Sequence, residues 1–401
     1  MNQDSDPKNQ EIVENRELSI WEAMIPIIAL IAMLAFNVYM FGDNALSGSN
    51  QFILLLGAAV AAIVGLLNKT SFETMMDEVA QNVKSTAGAI LILLLVGALA
   101  GTWLVSGIIP TMIYYGLQIL NPSIFLAACV VICAIISVAT GSSWTTSATV
   151  GIALIGIANA LDISLGMTAG AILSGAYFGD KLSPLSDTTN LAPAMAGTDL
   201  FTHIQYMLFT TVPTITITII VFIIIGFNIE TSGTADTSVI LNSIDDAFNI
   251  SPWLFVVPAL VILLIVKKTP PLIALLAGTL LGAIAALIFQ PDIVANLGGS
   301  DTLSVKSGYM GIMNAITVDT AIETTNENLN DLFAASGMAG MLGTIWLILC
   351  AMTFGGIMDA IGALSRISKF MLNLFDSTFG LFASTVATCI GLNATASDQY
   401  L

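Results

Sequence analysis

Long apolar runs separated by short polar connections dominate the chain. Runs able to cross roughly 30 Å of hydrocarbon occupy Ile20–Phe41, Phe52–Leu67, Ala87–Ile109, Met207–Phe227, Trp253–Val266, Leu272–Phe289 and Gly337–Met358. Each predicts a membrane-spanning helix. Two stretches break the pattern, with apolar legs flanking a polar centre: Pro122–Leu161 around TGSSWTTS, and Ser164–Ala196 around GDKLSPLSDTTN. Glu73–Lys84 reads as an amphipathic linker on the cytoplasmic side. The predicted fold class is an all-α polytopic membrane protein.

Composition agrees with the pattern. Hydrophobic residues make up 56% of the chain and charged ones 9%, far below the roughly 25% charged fraction of a soluble domain. The net charge is −17, and its carboxylates gather in the N-terminal tail and in the loops Asn228–Ser251 and Pro291–Ser336. They read as solvated exterior faces. So few basic residues argue against nucleic-acid binding. The four cysteines lack metal-type spacing and read as small apolar residues. The acidic start, with no small-residue cleavage site after the first span, makes that span a retained helix rather than a signal peptide.

Lysine and arginine near span ends set the orientation. Lys8 and Arg16 precede the first span, Lys69 and Lys84 follow the second, and Lys267, Lys268, Arg366 and Lys369 mark later turns, whereas Asn228–Ser251 has no basic residue and Pro291–Ser336 has only Lys306. The basic segments are assigned to the cytoplasm, with the N-terminus, and the two acidic loops to the outside. The spans opening at Ile20 and Trp253 then run in opposite senses. A weak repeat matches Glu73–Val79 to Glu327–Phe333 and, at the same offset, Gly101 to Gly355; Gly141, Thr145 and Ser147 fall opposite Gly391, Thr395 and Ser397. Inverted repeats of this kind are a signature of secondary transporters, with the substrate site at their interface near the midplane.

Parity fixes the broken elements. The span at Met207 starts inside, so its predecessor exits inside. That condition is met when Pro122–Leu161 is a re-entrant hairpin opening outward and Ser164–Phe178 enters from outside, unwinds over Gly179–Asn190, and finishes through Leu191–Ala196. The predicted organisation is an acidic tail over residues 1–19 and a first repeat over 20–228, with hairpin 122–161 and broken helix 164–198. An external loop over 229–251 and an incomplete second repeat over 252–401 follow. Each full repeat holds five spans plus a hairpin.

Ionisable groups at membrane depth cost roughly 2.5–3.5 kcal/mol each and usually mark an ion or substrate path. Irregular backbone there needs shelter from lipid, and Gly179 and Pro184 are suited to break a helix. The freed carbonyls, with Ser183, Ser186, Thr188, Thr189 and Asn190, offer oxygen ligands to a hard cation, and Asp180 and Asp187 offer charge. Sodium and a proton compete for such a carboxylate, because burial favours the protonated form and a cation the ionised one. Asp187, inside the hydroxyl cluster, is the favoured shared ligand. Asp180 is open to two roles, coupling or an ion pair with Lys181. The hairpin tips add Ser142, Ser143, Thr145 and Thr146 on one side and Asn393, Thr395, Ser397 and Asp398 on the other, each open to a ligand role or to helix packing. His203 and Asp359 read as interfacial residues, with pH sensing an alternative for His203. No cofactor is implied; sodium enters as substrate.

At Gly175–Ala194 and Thr140–Gly151 the chain resembles the NhaC family of sodium/proton antiporters, within the ion transporter superfamily, over nearly the whole membrane region. The resemblance implies an antiporter of the inner membrane exchanging sodium for protons. Sodium-coupled exchange of malate and lactate, or of amino acids, is an alternative. It leaves a homodimer open. The second half lacks counterparts of Ala148–Phe227, so the chain alone is expected to be inactive, and sodium-dependent proton flux from it in liposomes would contradict that. An intramembrane aspartyl protease is disfavoured because no Tyr-Asp pair exists. A rhomboid-like protease is disfavoured by the position of His203. A channel also uses carbonyls and hydroxyls, but inverted halves favour alternating access.

Overall fold

The computed structural model describes residues 18–119, 122–140, 143–183, 198–228, 237–267, 269–324 and 333–372, with positions 186, 189, 193, 380, 382–383 and 385–387. Nearly all of them are helical. The chain divides into two compact units: the described residues of Met1–Ile90 and Leu342–Leu401, and those of Leu91–Met341.

The first unit holds α1 (Ile20–Phe41), α2 (Ser49–Leu67), the opening part of α3 (Phe72–Val105), α15 (Leu342–Ala360) and α16 (Ala363–Leu372). α1 begins at a capping box: Ser19 Oγ accepts from the Glu22 amide, and the Glu22 carboxylate accepts from the Ser19 amide. Two otherwise orphaned N–H groups are thereby satisfied. Near the other end of α1, the buried Asn37 amide donates to Ser49 Oγ at 2.8 Å and to Asn50 Oδ1 at 2.7 Å, tying α1 to α2. Ala23, Ile27, Ala58, Ala61, Met75, Val79, Phe354, Ile357 and Met358 form the core.

The second unit continues α3 and adds α4 (Ile108–Ile119), α5 (Pro122–Thr140), α6 (Ser143–Thr146), a π turn (Ser147–Gly151), α7 (Ile152–Ala160) and α8 (Leu165–Leu182). After these come α9 (Leu200–Asn228), α10 (Thr237–Ala247), a 3-10 turn (Pro252–Phe255), α11 (Val256–Val266), α12 (Pro271–Phe289), α13 (Pro291–Leu297) and α14 (Val305–Thr317). One core joins Leu99, Trp103, Ile108, Phe125, Leu126, Val130, Ile172, Leu254, Leu275 and Phe333. Within it the Trp103 indole donates to the Gly278 carbonyl at 3.1 Å, pinning α3 to α12.

Six described helices are long and apolar enough to cross a membrane: α1, α2, α3, α9, α12 and the helix ending at Ala360. A seventh is reached if Leu241–Ala247 and Pro252–Leu264, bent by 87°, count as one span. The expected span at Trp253–Val266 is therefore short by itself, about 21 Å at the helical rise of ~1.5 Å per residue. Large apolar side chains such as Ile217, Ile224 and Phe227 on α9 are exposed, as lipid-solvated helices require.

Several expectations change in detail. Glu73–Lys84 is not a separate linker but the first turns of α3, because nothing in that stretch breaks a helix. The run Ala87–Ile109 is interrupted after Val105, where Gly107 takes a φ of 80°, a conformation open to glycine. The acidic loop segments carry α10, α13 and α14. A two-residue antiparallel ladder pairs Thr320 with Ala335 and Ala321 with Ala334, a small addition to an otherwise helical fold. Within the weak repeat, residues 327–332 lie outside the described residues.

Candidate functional site

The site grows from the contact of α8 with α5. Ala171, Gly175 and Gly179 recur every fourth residue, so they share one face of α8. A Cβ at Gly175 would stand 2.2 Å from the Val130 carbonyl oxygen, and one at Gly179 2.6 Å from that of Ala134. Small residues thus let the two backbones touch, as in membrane helix pairs generally. The Ser137 hydroxyl donates to the Ala176 carbonyl across the same seam. Gly179 is therefore a packing residue rather than the helix breaker the sequence suggested: α8 runs on to Leu182 and ends at Ser183, whose φ and ψ are extended. Pro184 lies outside the described residues.

This close seam carries Asp180 into the protein. Only 9% of Asp180 is exposed, and its Oδ2 accepts a 2.7 Å hydrogen bond from Ser143 Oγ on α6. The end of α8 is closed by its own downstream residues. Ser183 N donates to the carbonyls of Gly179 and Asp180, Thr189 Oγ1 donates to those of Asp180 and Lys181 at 3.0 and 3.1 Å, and Thr189 N reaches Ser186 Oγ at 3.5 Å. The carbonyls freed by the break are thus partly satisfied by hydroxyl donors. Ser143, Thr146, Ser183, Ser186 and Thr189 are all buried.

Lys181 takes the other side of α8. It is exposed and lines a cleft of about 170 Å³ with Ser174, Tyr177 and Phe178 of α8 and Thr211, Thr214, Ile215 and Thr218 of α9. Neighbours in sequence, Asp180 and Lys181 diverge, one towards the Ser143 hydroxyl and one towards α9. Ser147 was overlooked as a site residue. Its hydroxyl is buried with no hydrogen-bond partner among the described residues, inside the π turn that packs on α8. Such turns inside helices are frequent at functional sites, and a hydroxyl within a polar tip is the only trace this leaves in a sequence. His203 sits in the first turn of α9, whose start Asp199 caps through the Thr202 amide.

Asp187, Thr188, Asn190, Ser142, Asn393, Thr395, Ser397 and Asp398 lie outside the described residues, as does the side chain of Thr145.

Fold and site together define a multi-pass helical membrane protein with an acid sheltered where a helix stops short. A profile of the Na+/H+ antiporter family matches residues 175–401. The chain is 36% identical over 348 residues to the Na+/H+ antiporter NhaC of Alkalihalophilus pseudofirmus, across 87% of this chain and 72% of that protein. It is 35% identical over 389 residues to the malate-2H+/Na+-lactate antiporter of Bacillus subtilis, across 96% and 78%. With NhaC of Bacillus subtilis it shares 34% over 350 residues, 87% of this chain and 74% of the relative. The chain belongs to the Na+/H+ antiporter family.

Proposed function

We propose that this protein exchanges sodium for protons across the cytoplasmic membrane by alternating access, and that the break after α8 is where the two ions compete. One observation carries the reading: Asp180 is buried at the end of a helix that stops inside a cluster of hydroxyls, and a hydroxyl of the α6 segment holds its carboxylate. Oxygen ligands and negative charge at a helix break are what a bare alkali cation needs in place of its water. Asp187 is the shared ligand of sodium and proton. Asp180 holds the adjacent charge, and Thr189, Ser186, Ser183 and Asn190, with Ser142, Thr145 and Thr146 from the facing segment, supply oxygens.

The topology that serves this mechanism has a cytoplasmic N-terminus and two inverted repeats. Pro122–Leu161 forms a re-entrant hairpin and residues 164–198 a broken helix. Two features support it: the apolar stretch Pro122–Val138 of α5 falls below the length of a span, and α8 stops at Leu182. The protein acts as a carrier, not an enzyme, and loading sodium on one side expels the proton that the empty site binds on the other.

Dissipation of an imposed pH gradient in proteoliposomes tests it. External sodium collapses the gradient, a result that also overturns the sequence-based expectation that the chain alone is inactive, and Asp187→Asn abolishes the collapse. Undiminished coupling in that variant removes Asp187 from its role.

The Lys181 cleft favours a second reading, sodium-coupled exchange of a small organic acid. An ammonium group among hydroxyls is a natural seat for a carboxylate. Malate or lactate then drives proton movement that sodium alone does not, and Lys181→Met removes it.

A further inference from the structure

Hydroxyls inside the helices of this protein are mostly spent on their own backbone. Thr102, Thr168, Ser174, Thr214, Thr218 and Thr279 each donate to the carbonyl one turn earlier, at 2.7–3.0 Å, as hydroxyl side chains in helices can. Ser147 does not. Its Oγ is buried with no hydrogen-bond partner among the described residues, and it opens the π turn Ser147–Gly151, where the helix widens and the hydroxyl reaches no carbonyl of the turn before. Thr111 on α4 is the other buried hydroxyl in this condition among the described residues, but Ser147 is the one whose element packs on α8.

Two contacts fix where that hydroxyl stands. One turn before it, Ser143 Oγ donates to the Asp180 carboxylate at 2.7 Å. One turn after it, a Cβ at Gly151 would stand 3.1 Å from Ile172 Cγ2 and 3.8 Å from Ser147 Cβ, so Gly151 and Ser147 share a side and that side faces α8. Asp180 and Ile172 lie about two turns apart on α8, as Ser143 and Gly151 do on the facing segment, which therefore runs antiparallel to it. Ser147 falls midway between the two contacts, opposite the turn that carries Ala176, whose buried methyl offers no hydrogen bond. The hydroxyl is thus one turn from the acid and held on either side.

We infer that Ser147 is a specificity-determining ligand: its Oγ joins the coordination of the sodium ion at the Ser143–Asp180 contact, and its fixed position favours sodium over potassium. This role rests on the proposal that sodium and protons compete at the break after α8. Buried hydroxyls are almost always paired, so one left unspent a turn away from a carboxylate is available to an ion. Choice between hard cations follows from cavity size, ligand number and rigidity. Ser147 cannot withdraw for the larger ion, because Gly151 lies against Ile172 on one side and Ser143 is bonded to Asp180 on the other. A water molecule in the same place would pair the hydroxyl but confer no preference between ions.

The melting temperature of the purified chain, titrated with sodium or potassium chloride against choline chloride, reads binding directly. Sodium is expected to stabilise the unaltered chain at a lower concentration than potassium. Ser147→Ala raises the half-saturating sodium concentration by about tenfold, the loss expected for one oxygen contact to a charge, and raises that of potassium less. The ratio between the two ions is unmoved by a uniform loss of stability, so a loosened seam does not mimic the result. Ser147→Thr and Ser147→Val add a control, since they share a shape and only the first keeps the hydroxyl; only the first retains the sodium preference. An unchanged ratio in Ser147→Ala overturns the proposal and leaves water as the hydroxyl's partner. Equal ratios in Ser147→Thr and Ser147→Val overturn it too and make the residue a packing element, as does an unaltered chain that no cation stabilises above choline. Failure of the exchange reading looks different: sodium-driven proton movement then survives Asp187→Asn, whatever the Ser147 variants do to the ratio.

Discussion

The Ser143 hydroxyl donates to the Asp180 carboxylate at 2.7 Å, with both residues buried, and so joins the α6 segment to the last turn of α8. Hydrogen bonds to charged acceptors are stronger than neutral ones, and removing the donor leaves a buried carboxylate short of a partner at a cost of about 1–3 kcal/mol. Ser143→Ala is expected to lower the melting temperature and to weaken the apparent sodium affinity of coupled flux. In an Asp180→Asn background the same change has a smaller effect, because the charge it served is gone. A double-mutant cycle measures the difference, and a coupling energy near zero removes the bond from the site.

Thr189 makes a related prediction from a different bond. Its hydroxyl donates to the carbonyl of Asp180, which Ser183 N also reaches, and to that of Lys181, closing the end of a helix, where the last carbonyls have no intrahelical donor. Thr189→Val keeps the shape and deletes the donor. The end of α8 should fray, seen as faster hydrogen exchange at residues 180–183, with a loss of about 1 kcal/mol. Thr189→Ser should restore both.

Much of this was legible in the sequence and some was not, for identifiable reasons. Apolar runs located α1, α2, α9, α12 and α15 closely, since a bilayer imposes length and composition together. The polar centres TGSSWTTS and GDKLSPLSDTTN marked the segments that meet at Asp180, because charge at depth is costly enough to be selected against unless used. The role of Gly179 was misjudged. A glycine that breaks a helix and one that lets helices touch look the same until the neighbour, here Ala134 of α5, is known. The divergence of Asp180 and Lys181 likewise depends on where α9 lies, which no local pattern reveals. Ser147 escaped notice because an unpaired polar atom exists only in three dimensions.

Asn37 offers a test in the first unit. Its amide donates to Ser49 and Asn50 across the α1–α2 pair, and such interhelical bonds in membranes are worth roughly 0.6–2 kcal/mol. Asn37→Leu removes both bonds and should lower the unfolding midpoint in mixed detergent by a correspondingly modest amount. Asn37→Gln should not rescue it, because the longer side chain displaces the amide.

The α5–α8 seam gives the sharpest contrast between two glycines. A Cβ at Gly175 meets the Val130 backbone carbonyl at 2.2 Å and the Ala134 nitrogen at 3.0 Å, and neither atom can step aside without moving α5. Gly175→Ala therefore forces the helices apart and disturbs the Asp180 turn five residues on. At Gly88, exposed within α3, a Cβ meets nothing within 4 Å, so Gly88→Ala gains only helix propensity, about 0.5–1 kcal/mol. The same one-carbon change should thus lower the melting temperature and coupled flux at position 175, and leave flux unaltered with an equal or higher melting temperature at position 88. Equal tolerance at both positions would mean that α5 and α8 do not meet backbone to backbone, and the placement of Asp180 against Ser143 would lose its structural basis.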